Sequence, residues 1–104
     1  MNVRTCTGLL ALAAVAVVPA AAAAASGEDL FKLHCAACHA EGGNIINAKK
    51  TLKKADREAN GVKTAKDVIG LMRKPGPGMT TFDAKTIPDK DAKAIADYIL
   101  KTFN

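Results

Sequence analysis

Tryptophan is absent from this 104-residue chain, and one tyrosine and three phenylalanines are its only aromatics. A core built from large aromatic side chains is therefore excluded. Cysteine is nearly as scarce: Cys6, Cys35 and Cys38 make three, too few and too unevenly spaced for a disulfide framework. No segment alternates apolar and polar residues as a strand does, and no repeat or linker divides the later chain. Charge is missing from the beginning, where Arg4 is the only charged residue before Glu28.

That uncharged start has a pattern of its own. Residues 9–18 are an unbroken run of Leu, Ala and Val, followed by Pro19 and an alanine tract. A basic start, a short apolar run and small-x-small exit sites describe a secretory signal peptide over residues 1–25. An uncleaved membrane anchor is the competing reading, but the apolar run is short and the rest is alanine. Cys6 precedes the apolar run, where a lipid-attachment cysteine would not sit. Cleavage near Ala25 leaves one domain, residues 26–104, of about 79 residues. It carries 14 basic and 10 acidic side chains, a formal charge of +4.

A domain this small buries little and commonly needs a covalent or metal staple. The residues that remain read as all-α. A first helix is expected over residues 28–38, with Glu28 and Asp29 in the first turn, ending at Gly42-Gly43-Asn44. A short basic helical piece is expected over residues 49–59, stopping at Asn60-Gly61. A third helix starts at Thr64, with Asp67 completing a capping-box-like pair, and presents Val68, Ile69, Leu71 and Met72 before Pro75. The last begins near Pro88 and carries Ala92, Ile95, Ala96, Ile99, Leu100 and Phe103 along one stripe.

The chemistry concentrates in Cys35-Ala36-Ala37-Cys38-His39. On a helical turn the two sulfurs lie on one side, about 5–6 Å apart at Cβ. That spacing lets each add to one vinyl group of a single porphyrin, while His39 is carried beneath the ring as an iron ligand. Cys-x-x-Cys-His is a c-type haem attachment sequence. One haem c also fills the space the missing aromatics leave, with about two to four aromatic side chains' worth of apolar surface. A thioredoxin-like pair would follow a strand, a zinc site would need a better-placed fourth ligand than His34, and a plain disulfide would leave His39 unexplained.

The second axial position has three candidates. His34 directly precedes Cys35 and is held on the proximal side. Met72 lies in an apolar helical run and reads as core filler. Met79 ends Pro75-Gly76-Pro77-Gly78-Met79, where prolines stiffen the chain and glycines let the backbone approach a flat ring. Met79 is assigned as the distal ligand; a neutral thioether favours ferrous iron and raises the potential. The carbonyl that accepts from His39 is left open, with Asn44 and its neighbours as candidates.

These residues resemble the class I cytochromes c over nearly the whole domain. Gly27, Phe31 and the attachment motif are similar to that family's first helix, and residues 94–100 with Tyr98 to its last. The resemblance implies the cytochrome c fold, about four helices around one haem, with Gly27 and Phe31 meeting Tyr98 where the terminal helices cross. Within the class the chain is most similar to the cytochrome c6-like group, through residues 39–46, 50–54, Asn60-Gly61, and Met79 followed by Phe82. Two positions depart from that group: Thr80 stands where proline is usual, and Leu71 where photosynthetic members have glutamine.

The resemblance implies a soluble, monomeric one-electron carrier of the periplasm, not an enzyme, working in a respiratory chain rather than with a photosystem in a thylakoid lumen. No titratable pair or substrate pocket argues for catalysis. Lys49, Lys50, Lys53 and Lys54 cluster, and Lys74 and Lys85 flank the Met79 loop. Such a rim steers brief encounters with acidic redox proteins, membrane oxidoreductases among them; nucleic acid is not an expected partner. The alternatives are a haem-based small-ligand sensor and a peroxidase-like haem protein, both requiring that Met79 be displaced.

Overall fold

The strongest apolar periodicity lies at the end of the chain, and it forms the longest helix among the described residues of the computed structural model, which are Gly8 and residues 25–104. The expected signal segment and Cys6 therefore fall almost wholly outside the described residues. Five α-helices follow in order: α1 (Gly27–His34), α2 (Ala36–His39), α3 (Lys54–Ala59), α4 (Ala65–Arg73) and α5 (Asp89–Thr102). Among the described residues there is no strand, and no helix is long and apolar enough to cross a membrane.

In α5 the stripe is realised as expected: Ala92, Ile95, Ala96 and Ile99 are buried, and Leu100 and Phe103 half-buried. Pro88 sits at the N-cap rather than inside the first turn. The buried face packs against both α1 and α4, enclosing Leu30, Phe31, Val68 and Met72. Ile87 and Ile95 are fully enclosed, each contributing about 1.5–3 kcal/mol by leaving water.

The contact of α1 with α5 depends on a missing side chain. A Cβ on Gly27 would collide with the Ala94 carbonyl and lie 3.0 Å from Tyr98 Cβ. Beside it the Phe31 ring meets Tyr98 at 5.4 Å and Phe103 at 5.3 Å between centroids. The triad of Gly27, Phe31 and Tyr98 expected from the family resemblance is thus assembled.

Two local features differ from expectation. The first helix breaks at Cys35, whose φ of −118° closes α1 while its N–H still donates to the Phe31 carbonyl. Helix α2 restarts at once and runs through the motif. The basic piece becomes helical only at Lys54, because asparagine side chains hold the preceding residues in turns. Asn44 Oδ1 accepts from the Ile46 and Asn47 amides, and its Nδ2 donates to the Lys50 carbonyl, all at 2.9 Å. Such side-chain bonds compete directly with helical ones. The Thr64–Asp67 pair, by contrast, is a complete capping box at the start of α4. Asp67 accepts from the Lys63 and Thr64 amides, which holds its carboxyl below the usual carboxylate range.

Candidate functional site

Helix α2 is short, yet its geometry orders the motif. The Cys35 carbonyl accepts from the amides of Cys38 (3.2 Å) and His39 (2.9 Å), so the Cys-x-x-Cys-His segment is one continuous turn. Cys35 and Cys38 are unpaired and half-buried. Burial pushes the Cys35 thiol up to about 11, which argues against a thioredoxin-like pair, since that chemistry needs a thiolate at neutral pH.

The ring of His39 is oriented by its neighbour in the next turn. Nδ1 lies 2.7 Å from the Gly43 carbonyl, so Nδ1 carries the proton and Nε2 keeps its lone pair. The acceptor left open between Asn44 and its neighbours is therefore Gly43; Asn44 ties down the following loop. The Gly43 region is itself held, as the Leu52 amide donates to the Gly42 carbonyl at 2.7 Å and the Ile45 amide to the Cys38 carbonyl at 3.0 Å. Gly42, at φ +78°, packs against the Phe103 ring with no room for a side chain.

A cavity of about 280 Å³ opens beside the motif, lined by Cys35 and His39 together with Leu52, Val62, Val68, Leu71, Met72, Pro77, Met79, Phe82 and Ile99. Cys38 lies on the same turn but is not part of the lining. Met79 comes from the loop after α4, and both ends of that loop are fastened. The Phe82 amide donates to the Met72 carbonyl at 2.8 Å. Arg73 Nη1 donates to the Phe82 carbonyl at 3.0 Å, and its Nη2 pairs with Asp89 at 2.8 Å. Gly78, at φ +89°, lets the loop lie against Ile46. Of the other candidates, Met72 is buried core as expected, and the His34 ring stacks edge-on to Phe82 at 6.1 Å rather than lining the cavity. Leu71 lines the cavity although it is 41% exposed.

One lining residue escaped the sequence reading. Arg57 of α3 reaches the cavity with 5% of its surface exposed, whereas the surrounding lysines, Lys49, Lys50, Lys53 and Lys54, are exposed. The only signal was its being the one arginine in a lysine-rich piece.

An apolar cleft that gathers a thiol, an imidazole with a free Nε2 and a thioether suits a porphyrin iron. The helical fold and this donor set define a c-type haem protein of class I. Comparison with known proteins specifies it further. The family model described as cytochrome c oxidase, cbb3-type, subunit III matches residues 22–99. A cytochrome c6 of Nostoc (strain PCC 7120) is 37% identical over 80 residues, covering 77% of this chain and 71% of the relative. A cytochrome c6 of Cyanidium caldarium is 36% identical over 74 residues; the match covers 71% of this chain and 66% of that relative's length. The structure of OmcF, outer-membrane cytochrome F of Geobacter sulfurreducens, is similar with a TM-score of 0.74 at 47% identity, over 76% of this chain and 100% of that one. The chain belongs to the cytochrome c6 family of small monohaem c-type cytochromes, and with it carries one covalently bound haem. It is an electron carrier, not an enzyme.

Proposed function

We propose that this chain is an exported, soluble one-electron carrier in which Cys35 and Cys38 form the thioether bonds to the haem, and His39 and Met79 are the axial ligands. When bound, the haem supplies the one-electron couple of its iron. The protein's part is to hold it, tune it and limit access to it. The observation that carries the reading is the His39 Nδ1–Gly43 hydrogen bond at 2.7 Å, in a cavity that Met79 also lines. A carbonyl acceptor on Nδ1 leaves Nε2 for iron and makes the imidazole a stronger donor. The thioether of Met79 is neutral and soft, and the apolar lining disfavours additional charge; both favour the ferrous state.

The purified holoprotein tests this. A low-spin visible spectrum with the weak far-red sulfur-to-iron band, unreactive toward carbon monoxide, is expected. Met79→Ala opens the distal position, giving a high-spin haem of lower potential. An unchanged spectrum in that variant removes Met79 from the ligand set. A wild-type haem that takes up carbon monoxide readily favours the sensor or peroxidase-like reading.

Residues 1–25 serve as the signal peptide in this reading, and the mature protein is a periplasmic monomer. Leu71 and Thr80, at positions where photosynthetic relatives differ, support respiratory partners. The exposed Lys49, Lys50, Lys53, Lys54, Lys74 and Lys85 form the basic rim for acidic redox proteins. Electron-transfer rates that fall with added salt agree with this; rates that rise refute it.

A further inference from the structure

The segment that carries Met79 does little to hold itself. Over residues 75–81 the single hydrogen bond among the described residues runs from the Met79 amide to the Gly76 carbonyl, at a long 3.5 Å. The contact of Gly78 with Ile46 is apolar and carries no direction. The direction must come from outside the segment, and it is supplied three residues after Met79. There both backbone polar groups of Phe82 are taken by consecutive residues at the end of α4. The Phe82 amide donates to the Met72 carbonyl at 2.8 Å, and the Phe82 carbonyl accepts from Arg73 Nη1 at 3.0 Å. The other arm of the same guanidinium, Nη2, donates to Asp89, the first residue of α5, at 2.8 Å. Between these two points Asp83 turns the chain, its carboxylate accepting from the Lys85 and Thr86 amides at 3.0 and 2.8 Å. The Asp89 side chain is 91% exposed, and an ion pair that open contributes little to global stability. What it does is fix the direction of the Arg73 fork.

We propose that Arg73 is a positioning residue for the distal ligand: by gripping Phe82 and Asp89 together, it sets how firmly Met79 holds the iron. This rests on the reading of Met79 as the axial ligand. The planar guanidinium suits the task, since its two Nη groups diverge at fixed angles and span a carbonyl and a carboxylate at once; a lysine nitrogen is a single point. Both bonds have a charged donor, which makes them stronger than bonds between neutral groups. Arg73 is the last residue of α4 and Asp89 the first of α5, so the grip refers the loop to two packed helices. Without it Phe82 keeps one backbone bond to α4, and the Met79 thioether loses its fixed approach. A ligand from solution then competes with it more easily. Arg73 is not among the residues that line the cavity, so its effect reaches the iron only through the loop.

Imidazole titration of the ferric holoprotein tests the proposal in wild type, Arg73→Met and Arg73→Lys. The signal is loss of the far-red sulfur-to-iron band as imidazole displaces Met79. Arg73→Met should bind imidazole at least about tenfold more tightly, the change that losing one charged hydrogen bond implies. Arg73→Lys keeps the charge but reaches only one of the two acceptors, and should fall between wild type and Arg73→Met. Wild-type affinity in either variant overturns the proposal. Thr64→Ala is the control, since it weakens α4 at its other end without touching the loop; its imidazole affinity should match wild type. A rise in Thr64→Ala equal to that in Arg73→Met would show that lost stability alone frees Met79, which overturns the proposal as well. A wild-type ferric protein without the far-red band refutes Met79 as ligand, and the role of Arg73 falls with it. A normal wild-type band with unmoved affinity in both Arg73 variants refutes the role of Arg73 alone.

Discussion

Replacing Gly27 with alanine and Gly70 with alanine should move stability in opposite directions, although the chemical change is the same. Both glycines lie in helices, α1 and α4, where alanine ordinarily adds about 0.5–1 kcal/mol by restricting the unfolded chain. A Cβ on Gly70 meets nothing within 4 Å, so Gly70→Ala should realise that gain. A Cβ on Gly27 meets the Ala94 carbonyl and Tyr98 Cβ. Backbone atoms of a packed helix cannot rotate aside, so α1 must lift from α5. Overpacking of this kind costs about 1–3 kcal/mol. A domain of about 80 residues has only about 4–12 kcal/mol in all. Each kcal/mol moves the midpoint by about 4–8 °C at this size. Thermal melts of the holoproteins, followed by far-ultraviolet circular dichroism, should therefore place Gly27→Ala well below wild type and Gly70→Ala slightly above. The displacement also bears on function, because Cys35 directly follows α1 while Ile99 of α5 lines the same cavity. A Gly27→Ala protein as stable as Gly70→Ala would refute the close helix contact on which the reasoning depends.

Three further outcomes follow from the core and the caps. Ile95 is 0% exposed; truncation to alanine should cost about 2–5 kcal/mol in denaturant titrations, and a loss under 1 kcal/mol would mean the α5 face is not enclosed as described. Thr64→Ala should cost about 1 kcal/mol at neutral pH through loss of the α4 cap. The Lys63 and Thr64 amides hold the folded-state carboxyl of Asp67 below the usual carboxylate value. Its contribution is present above that value and is lost as pH falls through the lower folded-state value. Asp67→Asn should accordingly flatten the acid limb of the stability–pH curve, and an unchanged limb would show that the carboxylate contributes nothing there.

Much of the molecule was legible because local chemistry and tertiary use coincide. The α5 stripe, the Thr64–Asp67 cap and the stop before Pro75 are periodic or positional signals, and packing reinforces each of them. The attachment motif is readable for a different reason: its residue types and spacing are demanded by the cofactor. The break at Cys35 was not legible, because Ala36 and Ala37, which follow it, favour helix and only the turn of the motif relative to α1 requires a kink. The late start of α3 depends on Asn44 and Asn47 finding specific amides, a matter of loop geometry that composition does not report. Arg57 escaped notice because charge is a poor guide to burial here. An arginine among lysines reads as a solvated face, and only the backbone carbonyls of Leu52 and Phe103, 46 residues apart from Arg57 in the second case, hold it inside.

The ties between Met72 and Phe82, and from Arg73 to Phe82, make the Met79 segment a closed ring of chain. Joining the ends of a loop has an entropic cost that grows with its length, and here the base of the ring bears that cost whether or not the tip touches the cavity. The tip can therefore peel away while α4 stays packed on α5. Detachment of Met79 becomes a local opening with its own equilibrium, set below the free energy of global unfolding. Heating should accordingly release the segment first and the helices later, as two events instead of one.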